Sequence, residues 1–150
     1  YADFALHILF LIMSFYGWYN WSQGNKELNS ELSVSSESKK VLIFSITICS
    51  FLIIFSSNLF TVYTDADLPY WDNTTSILSV LAIWLQSRKK IESWLFWLTI
   101  DILSVGIYFY KELYFYSLLY SIYVVMAFLG YASWLKSFRC EQRNNSYNRP

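Results

Sequence analysis

The chain has 150 residues, of which 55% are hydrophobic and 21% aromatic, while 15% are charged and the net charge is zero. That balance leaves no basic surplus to hold a nucleic-acid backbone, which argues against nucleic acid as a partner. The charges fall in short clusters between long apolar runs, the pattern of an integral membrane protein and not of a water-soluble domain.

A helix needs roughly 20 apolar residues to cross a bilayer, and five segments are expected to do so, at about 4–21, 41–63, 70–87, 93–110 and 113–135. Span one carries His7, the only histidine, with Ser14 further along the same face. Histidine can hydrogen-bond a carboxamide or hydroxyl as donor or acceptor; a role as an anchor beside Asp3 at the outer interface explains it equally well. A polar loop, 22–40, follows, and then a second span, 41–63, with no charge. Span three starts near Pro69, where Asp72 or Asn73 is positioned to cap the first turn. Its polar edge of Asp72, Thr75, Ser76, Ser79 and Gln86 is expected to serve helix packing through the small hydroxyls. Gln86, near the basic end, is the candidate for gating. Arg88, Lys89 and Lys90 then form a charged turn with Glu92 as the expected partner, an exposed pairing that contributes little energy.

Span four, Ser93 to Tyr110, is uncharged but for Asp101 at its centre. A carboxylate at that depth costs a few kcal/mol or more unless something polar or cationic meets it, so it marks a functional site by default. Residues at i, i+3, i+4 and i+7 share a helical face, which groups Trp94, Trp97, Asp101, Ser104 and Tyr108. Two indoles, a phenol and a carboxylate on one stripe suit a flat, positively charged ring through stacking, cation–π attraction and charge neutralisation. The plainer readings are an interfacial aromatic belt for Trp94, simple packing for Trp97 and, for Asp101, a hydrogen bond from a neighbouring Ser or Tyr, or protonation.

Lys26, Lys39 and Lys40 follow span one, Arg88, Lys89 and Lys90 follow span three, and Lys136, Arg139, Arg143 and Arg149 follow span five. Ten of the eleven basic residues thus fall on one side, against Lys111, Asp65, Asp67 and Asp72 on the other. The positive-inside rule then puts the C-terminus in the cytoplasm and Tyr1 outside.

The sequence repeats. Tyr1–Trp21 set against Tyr114–Trp134 aligns Tyr1 with Tyr114, Leu6 with Leu119, Met13 with Met126, Phe15 with Phe128, Gly17 with Gly130 and Trp21 with Trp134. An even number of helix steps between the two copies makes this a parallel repeat about an axis along the membrane normal. Spans three to five then form one three-helix repeat (70–135), 41–63 a linker helix, 1–21 the last helix of a first repeat, and 136–150 a cytoplasmic tail. On this reading about two helices precede Tyr1 in the native protein. The position equivalent to His7 is Tyr120, with Tyr123 one turn on, which adds both to the candidate site.

Other chemistries lack their residues. Cys49 lies within span two and Cys140 in the tail, so neither a disulfide nor a zinc set is indicated. No phosphate-binding GxxxxGK[ST] loop, GxSxG elbow or HExxH helix is present, and no cofactor or metal is expected.

The segments Tyr1–Trp21, Tyr70–Asp72, Ser87–Tyr114 and Ser117–Lys136, with GWYxW, RKxxExWxxW and a terminal GYxxW in that order, resemble the PnuC-type vitamin transporters, whose best-known members carry nicotinamide riboside. The resemblance implies an all-α membrane protein with SWEET-like parallel three-helix repeats joined by a linker helix, about five spans of it present here. It further implies facilitated diffusion of a small vitamin precursor across a bacterial inner membrane, with metabolic trapping by phosphorylation. The family usually has an amide or another polar residue where His7 stands, so histidine is a departure. Substrate-binding residues on this reading are Asp101, Trp97, Trp94, Ser104, Tyr120, Tyr123, His7 and Ser14, with Gln86 in gating. The partners are a small-molecule vitamin and membrane lipid, and homo-oligomerisation stays open. Nicotinamide riboside and thiamine both answer the chemistry, and an intramembrane enzyme using Asp101 is the more distant alternative.

Overall fold

The computed structural model describes residues 2–23, 32–63 and 69–147, with side chains for the same residues except 2–3, 59–63, 69 and 144–147. Tyr1, Lys26, Asp65, Asp67 and Arg149 of the topology argument, and the side chain of Asp3, lie outside the described residues. Five helices follow in order: α1 (Ala2–Gln23), α2 (Lys39–Tyr63), α3 (Pro69–Ser87), α4 (Ser93–Tyr110) and α5 (Tyr114–Tyr147). Each apolar segment read from the sequence is helical. Among the described residues, however, three of the five are long and apolar enough to cross a membrane: Lys39–Asn58, Ser93–Tyr110 and Tyr114–Arg143. The aromatic and amide-rich end of α1 and the polar edge of α3 keep those two below that mark.

α3 is the hub. It packs on α1, α2 and α4, and α4 in turn packs along α5. The small buried core lies between α2 and α3, where Cys49, Leu81 and Leu85 are surrounded by Ile77, Trp84 and Phe96. Most large apolar side chains face outward, with Phe44, Phe51, Leu118, Phe128 and Leu129 all exposed and Phe115 89% exposed. A surface this apolar is a liability in water and the natural outer layer in a bilayer, where helix association depends on close packing and polar contacts. Asn73 supplies such a contact: its amide donates to Ser56 Oγ at 2.6 Å and Ser57 Oγ at 2.9 Å, tying α3 to α2.

Asn73 and Asp72 therefore do not cap α3. The helix already begins at Pro69, a residue pre-set for the first helical position. Asp72 lies one turn in and pairs with Lys111 at 3.1 Å, linking the start of α3 to the α4–α5 turn.

The α3–α4 and α4–α5 turns share one geometry. Lys90 N donates to Leu85 O at 3.0 Å and Lys89 N to Gln86 O at 2.9 Å, with Lys89 at φ 56°. Leu113 N likewise donates to Tyr108 O at 2.9 Å and Glu112 N to Phe109 O at 3.1 Å, with Glu112 at φ 59°. These are Schellman stops, in which glycine normally takes the left-handed position.

A strap, residues 32–38, lies along the α3–α4 turn. Ser35 N donates to Lys89 O at 3.2 Å and Ile91 N to Ser35 O at 3.0 Å, a one-rung parallel bridge. The Glu92 carboxylate accepts from Ser36 Oγ and, at 3.1 Å, from Glu37 N. The basic turn finds a different acid from the one expected: Arg88 (3.2 Å) and Lys90 (3.6 Å) pair with Glu37. Glu92 is spent on the strap's backbone because it faces the strap from the start of α4, leaving Glu37 to meet the cations. Lys89 Nζ donates to Leu32 O at 2.6 Å, which holds the start of the strap as well.

α5 continues as helix to Tyr147, through the basic segment read as a tail. Hydropathy ends where the charges begin, but Lys, Arg, Glu and Gln are good helix formers and carry the helix on.

Candidate functional site

Asp101 is 6% exposed, at the middle of α4 where α3 and α5 flank it. It opens onto a cavity of about 360 Å3 whose wall includes Gln86 of α3, Trp94 and Trp97 of α4, and Tyr120 and Tyr123 of α5. Six of the nine candidate residues thus line one space. Helical spacing explains the convergence: Trp94, Trp97 and Asp101 form one stripe on α4, and Tyr120, Tyr123 and Ala127 form another on α5. Among the described residues no cation and no hydrogen-bond donor meets the Asp101 carboxylate.

The aromatic groups around it are held in place. Trp97 Nε1 donates to Gln86 Oε1. Tyr120 stacks on Tyr108 with ring centroids 5.2 Å apart, and Tyr108 stacks on Tyr116 at 5.3 Å. Tyr123 meets the Tyr120 ring nearly at right angles, with centroids 5.7 Å apart. Such pairs fix ring orientation as well as adding stability.

The remaining candidates stand elsewhere. Ser104 is buried one turn beyond Asp101 and is not part of the cavity wall. Ser14 lines a second cavity of about 330 Å3 on the α1 side, and its hydroxyl donates to Phe10 O at 2.7 Å. His7 is exposed on α1 and belongs to neither lining. Phe10, between them on the same face of α1, is the residue that reaches the Asp101 cavity, and an apolar side chain on an apolar helix carries no sequence signal of that role. Ser79 also lines the cavity, although its hydroxyl is committed to Thr75 O at 2.7 Å. Thr75 and Ser76 likewise bond back to their own helix, as expected of packing residues.

The sequence motifs converge at the end of the bundle nearest the strap. Asn20 and Trp21 both donate to Ser87 O at 3.1 Å, satisfying a carbonyl at the end of α3. Gly17 permits this approach, since a Cβ there would stand 3.1 Å from that of Ser87. Gly130, its counterpart in the repeat, faces the Trp94 ring, and any Cβ would overlap it. Trp134 packs edge-on against Trp94 at 5.4 Å and against Trp21 at 5.8 Å, joining all three motifs in one tryptophan cluster. Trp94 is therefore both cavity wall and packing element, and not only a belt residue.

The family described as "Nicotinamide mononucleotide transporter" matches residues 1–136. The chain is 26% identical over 163 residues to the nicotinamide riboside transporter PnuC of Escherichia coli K12, covering 93% of this chain and 68% of that protein. It is 24% identical over 135 residues to the riboflavin/roseoflavin transporter RibM of Streptomyces davaonensis, covering 89% and 63%. Among solved structures, the crystal structure of the vitamin B3 transporter PnuC is similar with a TM-score of 0.70 at 18% identity, covering 93% of this chain and 63% of that one. The chain thus spans about two thirds of the length of these relatives. With its helical fold, its apolar exterior and a family match over most of its length, this multi-pass membrane protein belongs to the nicotinamide mononucleotide transporter family.

Proposed function

We propose that this chain carries a small, flat vitamin precursor across a bacterial inner membrane, with the Asp101 cavity as the cargo site and nicotinamide riboside as the cargo. The observation that carries this reading is the Asp101 carboxylate, buried among indole and phenol rings without a cationic partner among the described residues. An intramembrane anion is expensive unless it is neutralised. A pyridinium ring supplies both the countercharge and a face for Trp97, Tyr120 and Tyr123. Trp94 completes the wall, and Ser104 lies buried one turn further along α4, outside that wall. Gln86 gates through its bond to Trp97, while His7 and Ser14 on α1 stand outside this cavity.

The architecture proposed is the SWEET-like arrangement of two parallel three-helix repeats, with α3–α5 as one repeat, α2 as linker and α1 from the other. All five helices cross the membrane on this reading, with the C-terminus in the cytoplasm. The Gly17–Gly130 and Trp21–Trp134 correspondences support it. Cargo moves down its gradient, and phosphorylation inside the cell keeps it there. Thiamine, whose thiazolium is also a flat cation, is the second reading. Riboflavin, the cargo in the name of one relative, lacks the charge that Asp101 favours.

Proteoliposomes holding the full-length protein test this. Labelled nicotinamide riboside should equilibrate across the membrane without an imposed ion gradient, competed by thiamine more than by riboflavin. Uptake that needs a sodium or proton gradient would replace facilitated diffusion with ion coupling, and no uptake of any vitamin would sink the reading.

A further inference from the structure

Gln86 and Trp97 line both cavities. On one side is the Asp101 chamber; on the other is the cavity of about 330 Å3 between α1 and the α3–α4 pair. Within this shared lining, Trp97 Nε1 donates a hydrogen bond to Gln86 Oε1. A single neutral side-chain bond is a weak partition, easily exchanged for a bond to a ligand or to water.

The second cavity offers a ligand something different from the first. Its lining includes no charged residue, and its polar groups are largely occupied: Ser14 Oγ bonds Phe10 O, and Trp21 Nε1 bonds Ser87 O. What it presents is indole surface from Trp18, Trp21 and Trp97. Lys89 Nζ already lies 5.5 Å from the Trp21 ring centre, which leaves Trp18 and Trp97 as the stacking faces. Trp18 is 71% exposed, so its ring is not held for packing alone.

We propose that this second cavity is an uncharged stacking station for the flat ring of the cargo, joined to the Asp101 chamber when the Gln86–Trp97 bond opens. The inference rests on the transporter reading and extends it to two stations. Trp97 is common to both, so a ring can leave the carboxylate without losing its stacking partner. Passage through a membrane protein needs sites tight enough to enter and weak enough to leave, and a charge-free station after a charged one provides that step.

The test uses the full-length protein with nicotinamide riboside, measuring binding by calorimetry and uptake in proteoliposomes. Ser14→Phe fills the second cavity from a position outside the Asp101 chamber, and Trp18→Ala removes one of its stacking faces. Both should keep calorimetric affinity within about twofold of the parent while slowing uptake about tenfold or more, because the tight site is untouched and the onward step is lost. Retained affinity also reports that the variants are folded. Unchanged uptake in both would overturn the second station, and so would joint loss of binding and uptake, which would mean one continuous site. A parent protein that neither binds nor takes up the riboside would instead remove the transporter reading itself.

Discussion

Asp101 does at residue scale what no other side chain in the described structure does: it holds an anion inside the apolar bundle and turns it to a cavity. Asp101→Asn keeps the shape and removes the charge, and should weaken binding of a cationic vitamin by about 1–3 kcal/mol, the range for a charged hydrogen bond or partly desolvated ion pair. Gly130 makes a different kind of prediction. Because a Cβ would overlap the Trp94 ring, Gly130→Ala should destabilise the protein by about 1–3 kcal/mol, the usual cost of overpacking, read as a lower Tm in detergent. Adding Trp94→Leu should recover part of that loss; additive losses would mean the two residues do not meet. Helical period put Asp101 and Trp97 on one stripe in the sequence, and the internal repeat brought in Tyr120 and Tyr123; that the two stripes border one cavity exists only in the packing. Phe10 was not, since nothing in an apolar residue on an apolar helix says which space it will border. Gly17 and Gly130 were visible as a repeat, but their reason, close approach to Ser87 and Trp94, exists only in the packing.

At the scale of elements, the turns and the strap explain what the sequence hid. Both interhelical stops put a charged residue where glycine is usual, so no glycine signal marked them. Glu112 is exposed and pays for its left-handed backbone without a compensating bond among the described residues. Glu112→Gly should therefore raise stability by about 1 kcal/mol, seen as a higher Tm; a lower Tm would show that the side chain has a role in the turn. Lys89 is different, because its amine is tied to Leu32 O. The strap's pairing with the basic turn was hidden for another reason: Glu37 and Glu92 lie far apart in sequence, and only the bridge at Ser35 sets which carboxylate meets the cations. Glu92→Ala removes the acceptor for Glu37 N and Ser36 Oγ. Hydrogen exchange at Glu37 should then rise by at least about tenfold, as local protection falls with the lost bonds; unchanged exchange would mean that the bridge, the Glu37 ion pairs and the Lys89–Leu32 bond hold the strap without Glu92. The helix limits were more readable: 93–110 is α4 as expected, and 41–63 differs from α2 by two residues. The end of α5 was missed because hydropathy reports the membrane, not the helix.

The described residues form a thin core on α3 with aromatic and aliphatic surface outside, and among them Asp101 is a buried anion facing a cavity. Those features follow from composition, since an apolar exterior is stable only against lipid and a charge in its interior needs a use. The cargo does not follow in the same way. Relatives carry names with nicotinamide riboside and riboflavin, and both molecules have flat rings. Charge is what separates them, and on the proposed reading Asp101 is the group that responds to it. The most direct measurement is calorimetric titration of the full-length protein and its Asp101→Asn variant with nicotinamide riboside, with riboflavin in parallel. The riboside should bind the parent and lose about tenfold or more in affinity on Asp101→Asn. Equal affinity for both proteins, or tighter binding of the uncharged flavin, would contradict a cavity built around a cation.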